Sequence, residues 1–404
     1  MQENKPALCI LIENLPVPVD RRVWQEARAL REAGYRVSVI CPKARGCERS
    51  REILEGIEIY RYRAWEASGA LGYFLEYALA LVAQFYLALR VYGRTRFRVL
   101  QACNPPDTMF LIALFFKLFG VRFIFDHHDL NPELYEAKFA RRGLGYKLVC
   151  WAERLTFGAA DVSIATNQSY REVALGRGKM PPERVFVVRS CPELARIRKC
   201  PPRSELKEGR RFLVVYLGVM GPQDGLDLLL ESIALIAQGG KGQDTLFVLI
   251  GAGSETPRLK ALAAEKGLET LVRFKGHLPD EEVEAYFSTA DVGVAPDPAT
   301  PMNDKSTMNK ILEYMAFGLP VVLYDLTEGR RSADGAALYA RPGDPGDFAR
   351  QIMTLLDSAS LRQELGARGR RRIEESLNWE SEKQSLLAAY QTALTTAEPR
   401  KPPA

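Results

Sequence analysis

Short apolar runs without polar alternation recur along this chain, and a stretch with helical period follows each of them. The first run is "ALCILI", from Ala7 to Ile12. A strand that is apolar at every position is buried on both faces, as a parallel strand is when helices cover the sheet on either side. After the loop "ENLPVPVDRR" come the amphipathic "VWQEARALREAG" and a second run, "YRVSVICP". The theme continues through "FRVLQACN", "PPDTMFLIALFFKLFG", "VRFIFDHHD", "YKLVCWAERLTFGAA" and "DVSIATN". Strand and helix in alternation predict an α/β doubly wound parallel sheet.

The alternation stops at "RSCPELARIRKCPPRSELKEGRR", which is rich in proline and charge and has no clear period, so it suits a linker. It then restarts with "FLVVYLGV", "GLDLLLESIALIAQGG", "DTLFVLIGAG", "ETPRLKALAAEKG", "VRFKGHL", "DEEVEAYFSTA", "DVGVAPD", "STMNKILEYMAFG" and "PVVLYDL". The expectation is two Rossmann-like domains, residues 1–198 and 199–378. The stretch from Pro345 to Leu394 reads as helical throughout. The last helix, residues 379–396, is expected to cross back onto the first domain. Residues 397–404 read as a frayed tail. A chain of 404 residues fits this division, since one core rarely serves more than ~250 residues.

A net charge of +5 gives no support to a nucleic-acid partner. Seven dispersed cysteines, none in a Cys-x-x-Cys pair, suggest free thiols in a reducing compartment. No secretory signal is read at the N-terminus. The most apolar segment is Leu71–Gly93, interrupted by Glu76 and Arg90. Its uncharged run, Tyr77–Leu89, falls short of the roughly 18–20 residues that a span needs. Arg90, Arg94, Arg96 and Arg98 follow it, so it reads either as a core-facing helix or as one lying in a membrane interface. On the second reading, charged residues at Leu81 and Phe85 are expected to release the protein from membranes.

Ligands of such sheets bind outside the carboxyl ends of the strands, here in a cleft between two domains. In the second half, "GVMGPQDGLD" places Gly218, Gly221 and Gly225 after a strand and before a helix, where backbone amides can approach a phosphate. "IGAGSE" adds Gly251 and Gly253, either against a nucleoside or in simple tight packing. "RFKGHLPDEE" adds His277. In "STMNKILEYMAFG", Ile311, Leu312, Met315 and Ala316 share one helix side, opposite Lys310, Glu313, Tyr314 and Phe317. Ser306 or Thr307 is expected to cap this helix. The pair Lys310 and Glu313 is either a solvated ion pair or a site: a cation for a diphosphate and a carboxylate for a ribose. In the first half, His127 and His128 are neighbours on a strand, so only one can face the ligand side. That speaks against a His-His metal site.

The blocks "FDHHDLNPELY", "YLGVMGPQDGLDLLL", "VLIGAGSETPRLKALA", "VRFKGHLPDEEVEAYFSTADVGVAPDP" and "NDKSTMNKILEYMAFGLPVV" resemble retaining glycosyltransferases of family four, which have the GT-B fold. The likeness is to bacterial members that build exopolysaccharide and O-antigen. It implies a configuration-retaining, metal-independent transfer from a UDP- or GDP-linked nucleotide sugar, with no further cofactor. The implied acceptor is a lipid-linked saccharide, met in the cytoplasm at the inner membrane surface. It implies catalytic roles for His128, Asp304 and Lys310. Donor binding falls to Gly218, Gly221, Gly225, Gly251, Gly253, His277, Ser306, Thr307, Lys310 and Glu313. Glu313 matches the second glutamate of the family's paired-glutamate motif, but the first is Lys305, with Asp304 beside it. Val219 and Asp224 stand where many members carry an arginine and a lysine. These departures leave room for an inactive nucleotide-sugar-binding homologue, and the fold also serves epimerases and phosphorylases. An oxidoreductase is disfavoured, since no Gly-x-Gly-x-x-Gly follows the first strand.

Overall fold

A computed structural model describes residues 5–65, 69–139, 142–240 and 242–395. The expected tail at 397–404 lies outside them. The chain divides into two compact units. One runs up to Arg189 and resumes at Glu382, and the other is Ser190–Ser381. The boundary therefore falls nine residues earlier than the 198 expected from the sequence, at the start of the proline-rich segment.

The first unit is built on an eight-stranded sheet. In chain order its elements are β1 (Ala7–Leu11), α1 (Arg21–Glu32), β2 (Arg36–Pro42), β3 (Arg51–Leu54), β4 (Ile57–Tyr62), α2 (Gly69–Thr95), β5 (Val99–Cys103), α3 (Phe110–Lys117), β6 (Arg122–His127), α4 (Asn131–Phe139), α5 (Leu144–Ala159), β7 (Val162–Ala165), α6 (Gln168–Gly176) and β8 (Val185–Val187). The strand order is β3-β4-β2-β1-β5-β6-β7-β8, parallel except for the β3–β4 pair. β1, β5 and β7 are buried at every position, as unalternated apolar runs require. Asp20 caps α1, its carboxylate accepting from the Val23 amide at 2.9 Å.

The second unit has a six-stranded parallel sheet in the order β11-β10-β9-β12-β13-β14. Its elements are β9 (Phe212–Leu217), α7 (Leu226–Gln238), β10 (Thr245–Ile250), α8 (Thr256–Glu265), β11 (Val272–Gly276), α9 (Asp280–Thr289), β12 (Val292–Ala295), α10 (Asn309–Phe317), β13 (Val321–Tyr324), α11 (Thr327–Ala333), β14 (Ala337–Ala340), α12 (Pro345–Asp357) and α13 (Ala359–Glu375). The C-terminal stretch is not continuous helix. Ser358 caps α13 through its hydroxyl, and α14 (Trp379–Thr395) starts afresh after Asn378. From Glu382 onward α14 belongs to the first unit. There Leu386, Ala389, Tyr390 and Ala393 are fully buried, and the Tyr390 hydroxyl bonds the Gln101 carboxamide.

Each sheet reverses its winding once, between β1 and β5 in the first unit and between β9 and β12 in the second. In sheets of this class ligands bind at such switch points. The predicted phosphate loop leaves β9, at the switch point of its own unit. His128 follows β6, one strand beyond the switch point of the other unit.

Two corrections concern helices. Within α2, Leu75–Thr95 is in fact long and apolar enough to cross a membrane, with 21 residues and mean hydropathy 1.2. Nevertheless Ala80, Gln84, Ala88 and Val91 pack into the unit, and Gln84 donates to the Tyr62 hydroxyl at 3.0 Å, so one side of α2 is a layer of this fold. The other correction is α10, which is buried on nearly every side rather than on one. On the side expected to be polar, the rings of Tyr314 and Phe317 meet Phe287 of α9 edge-on at 5.2 and 5.4 Å, and on the Met315 side α13 lies against the helix through glycines. A Cβ on Gly369 would meet Met315 at 3.0 Å, and one on Gly366 would stand 2.2 Å from the Gly318 carbonyl.

Candidate active site

In the second unit, the loop after β9 is interlocked with its neighbours. Gly218 has φ +155° and Gly251 has φ +120°, and a Cβ on Gly251 would sit 1.9 Å from the Gly218 carbonyl oxygen. A Cβ on Gly253 would meet the Met220 carbonyl at 2.5 Å, and one on Gly225 would meet the Pro296 carbonyl at 2.1 Å. No side chain fits at these points. The Asn303 carboxamide ties the loop after β12 to the loop after β9, donating to the carbonyls of Gln223 (2.9 Å) and Pro298 (3.0 Å). The predicted glycines therefore come together, and loop-to-loop packing requires three of them, Gly225, Gly251 and Gly253. His277 follows β11 and is exposed.

Lys310 reaches this assembly from α10. It is only 9% exposed, and its Nζ bonds Asp297 Oδ1 at 2.9 Å and lies 4.7 Å from the centre of the Tyr216 ring. Its Cε would lie 3.3 Å from a Cβ on Gly218. The solvated-pair reading fails for Lys310, because its partner is Asp297 and both are buried. Glu313 is half-buried on the same helix. The expected cap is also corrected: Ser306 donates its hydroxyl to the Met302 carbonyl at 2.8 Å, and Met308 precedes α10 with no side-chain cap. Asp304 accepts from the Thr327 amide at 2.8 Å and from its hydroxyl at 3.0 Å, so it is committed to the start of α11.

Asp224, at one of the substituted cation positions, folds back on the loop. Its Oδ2 accepts from the Gly221 amide at 2.9 Å. Burial raises its pKa, while the Gly221 amide and Lys310 pull the other way. Val219 is exposed, and its carbonyl accepts from the Tyr216 hydroxyl at 2.7 Å.

In the first unit the two histidines diverge as strand geometry demands. His127 is fully buried among Phe125, Phe157 and Tyr170, and neither ring nitrogen has a hydrogen-bond partner among the described residues. Burial first, then the nearby Arg177 charge, pushes its pKa down to about 3. The His128 side chain is 15% exposed, and its Nε2 lies 2.7 Å from Asp126 Oδ2 and 3.0 Å from Arg22 Nε. Burial lowers the His128 pKa and the Asp126 carboxylate raises it; the carboxylate wins. Arg22 also binds Asp126 Oδ1 (2.9 Å), Glu26 (3.1 Å) and the Val188 carbonyl (2.7 Å). Glu26 is buried beside Asp126, and burial followed by that like charge pushes its pKa up to about 8.

Cys103, Asp126 and His128 offer three ligand atoms within 4.8 Å of one another. A metal ion there would meet the Arg22 guanidinium, which already neutralises Asp126, so the donor set does not suit one. Sequence reasoning missed Arg22, Glu26, Asp126 and Tyr216, and it placed Asp297 at a strand end, after "DVGVAP", without pairing it to Lys310. One signal was available: Asp126 and His128 are two residues apart on a strand, hence on one face.

Comparison with known proteins bears on both units. A family model described as "Glycosyl transferase 4-like domain" matches residues 19–191, and one described as "Glycosyl transferases group 1" matches residues 211–358. D-inositol 3-phosphate glycosyltransferase of Geodermatophilus obscurus is 33% identical over 192 residues, covering 45% of this chain and 40% of that one. The enzyme of the same name from Thermomonospora curvata is 30% identical over 267 residues, 60% of this chain and 59% of that one. The chain thus spans about half the length of these curated relatives. Among solved structures, sucrose-phosphate synthase from Thermosynechococcus elongatus superposes with TM-score 0.80 at 18% identity, covering 97% of this chain and 100% of that one. HepE of Anabaena, solved with UDP and glucose, superposes with TM-score 0.71 at 15% identity, covering 95% and 99%. With one family model matching in each unit and neighbours of the GT-B fold matching along nearly the whole length, this chain belongs to glycosyltransferase family four and has the two-domain GT-B fold.

Proposed function

We propose that this protein moves a sugar from a UDP- or GDP-linked donor to a lipid-linked saccharide during cell-surface polysaccharide synthesis. The transfer retains configuration and needs no metal on the nucleotide, and it takes place in the cytoplasm at the inner membrane face. The observation that carries this reading is the glycine-lined meeting of the loops after β9, β10 and β12, with the Lys310–Asp297 pair directly beneath Gly218. Glycines that leave no side chain in the way of a ligand and one buried cation suit a diphosphate, and Glu313 on the same helix suits the ribose hydroxyls. The names of the relatives, which are sugar transferases, and the UDP complex of HepE support the same chemistry. His128 would donate to a donor-sugar oxygen, with the Asp126 carboxylate orienting its imidazole. Fixed donors in place of a metal would stabilise the leaving diphosphate.

A second reading is a homologue that binds the nucleotide sugar without turning it over. It is favoured by the Asp224 carboxylate, which holds the Gly221 amide at a position where many relatives present a cation.

Calorimetry against UDP, GDP, ADP and their sugars, with and without chelator, tests both readings. Binding of one nucleotide with unchanged affinity in chelator is expected. Lys310→Ala and Glu313→Ala are each expected to weaken it about tenfold or more, some 1.4 kcal/mol. Unchanged affinity in both variants returns the pair to a structural role. Tight binding without transfer to any lipid-linked acceptor selects the second reading.

A further inference from the structure

The helices of the first unit expose apolar side chains in rows. On α2 the exposed residues Leu75, Leu79, Val82, Tyr86 and Leu89 recur at intervals of four and three, which aligns them along one side. Val82 is 67% exposed. On α3, Leu111, Leu114 and Leu118 face water while Ile112, Ala113 and Phe116 face the core. On α5, Leu144, Leu148 and Trp151 are exposed in the same spacing. These helices are neighbours. Phe85 of α2 meets Phe115 of α3 edge-on at 5.0 Å between ring centres, and α3 packs against α5. Scattered exposed leucines are ordinary, but contiguous apolar patches mark interaction surfaces. In the second unit, the large apolar residues left exposed are only Val219 and Leu235 among the described residues.

Beyond the half-buried Glu76 near the start of α2, the charge along this part of the chain has one sign. From Tyr77 to Pro106 the chain carries Arg90, Arg94, Arg96 and Arg98 and no acid. All four arginines are exposed. Arg90 stacks over Tyr86 of the α2 row at 5.8 Å, and Arg96 over Tyr92, whose ring packs against Phe119 at 5.8 Å. Lys147 is exposed between Leu144 and Leu148. Apolar rows bordered by arginine and interfacial aromatics match a surface that offers hydrocarbon below and anionic groups above.

We propose that the α2–α3–α5 face docks onto an anionic lipid bilayer, lying in the interface without crossing it. The core-facing side of α2 forbids crossing, because Ala80, Gln84 and Ala88 pack within the unit. This deepens the function reading by naming the surface on which a lipid-linked acceptor is met, but it stands on the exposed face alone. It also corrects the substitutions that the sequence pointed to. Leu81 and Phe85 are half-buried against the core, so charges there would damage the fold. Leu79 and Val82 are the residues to change.

Flotation of the purified chain with vesicles of pure phosphatidylcholine, and with an equimolar mixture of phosphatidylcholine and phosphatidylglycerol, tests this. The chain is expected to float with the mixed vesicles and much less with the neutral ones. The pair Leu79→Glu and Val82→Glu is expected to cut the floated fraction at least tenfold, with thermal melting and nucleotide affinity unchanged. Arg94→Glu with Arg98→Glu is expected to remove the preference for anionic vesicles. Absence of flotation with both vesicle types overturns the proposal, and equal flotation with both overturns its anionic part. A dimer in sedimentation that Leu79→Glu with Val82→Glu dissolves, without vesicle binding, assigns the face to a second copy of this chain instead. Nucleotide titration is unaffected by any of these outcomes, so failure of docking and failure of the transferase reading are separable.

Discussion

The two units share an architecture and use it in opposite ways. The second unit is closed by backbone: its strand-end loops interlock through glycines, and its surface is almost free of large apolar side chains. The first unit is closed by side chains. Arg22, Glu26, Asp126 and His128 hold the ends of several elements together, and Arg177 bridges Glu133 and Glu153 on the His127 side. Its helices leave apolar rows in water. A backbone cradle suits a ligand part common to many donors, since amides recognise any phosphate. A side-chain network and a greasy exterior suit a partner particular to this protein. Under the proposed function, the contrast gives the phosphates common to nucleotide-sugar donors to the second unit and the acceptor to the first.

The sharpest way to break this contrast is to add one methyl group in each unit. Gly251→Ala places a Cβ at φ +120° and 1.9 Å from the Gly218 carbonyl. It is expected to cost at least about 3 kcal/mol and to abolish nucleotide binding. Gly158→Ala, in α5 with nothing within 4 Å of the added atom, is expected to stabilise the first unit by about 0.5–1 kcal/mol, because glycine is a poor helix residue. Chemical denaturation followed by hydrogen exchange resolves the two units. A tolerated Gly251→Ala would mean that the loops are not interlocked in solution.

Legibility in the sequence divides along the same line. The parallel sheets were readable because buried strands are apolar throughout, as in "FLVVYL". The β3–β4 pair escaped because Arg51–Leu54 is an exposed edge with charge at its first two positions. The glycine loops were readable as glycines, but not as one another's partners, since nothing in Gly251 names Gly218. Lys310 and the strand-end Asp297 each stood out, yet their pairing did not, because their meeting depends on where β12 ends relative to α10. The face pattern of α10 misled for a related reason: helical period reports apolar stripes but cannot report a second helix arriving on the polar side. The exposure of α2 was likewise undetermined, as the whole segment is apolar. Only packing showed that Leu79 and Val82, and not Leu81 and Phe85, face outward.

A further effect acts on the first unit through pH. His127 is held neutral by burial, with its pKa near 3 against an ordinary 6.5. The unfolded chain therefore takes up a proton as pH falls through 6.5, and the folded chain does not. Stability from this group is complete above pH 6.5 and is lost progressively as pH falls towards 3, amounting to a few kcal/mol over that window. The His127→Phe variant keeps an aromatic ring among Phe125, Phe157 and Tyr170 and is expected to flatten that part of the acid limb in the first unit. An identical slope in variant and wild type would mean that His127 finds a partner for its charge.

The last expected effect concerns whether the cradle in the second unit is open or already occupied. Asp224 accepts from the Gly221 amide, so a carboxylate of the chain itself sits on a donor that a diphosphate would use. In Asp224→Asn the carboxamide oxygen can still accept that hydrogen bond, but the side chain carries no charge to repel phosphate. Removing one like charge near the loop is expected to tighten UDP or GDP binding about tenfold, some 1.4 kcal/mol. UMP or GMP should gain less, having fewer charges to repel. Because burial raises the pKa of Asp224, wild-type affinity should rise as pH falls through its titration, while the variant stays flat. A weaker complex with Asp224→Asn would reverse the assignment. The carboxylate would then be a ligand for a sugar hydroxyl, and this unit would use a side chain for recognition just as its neighbour does.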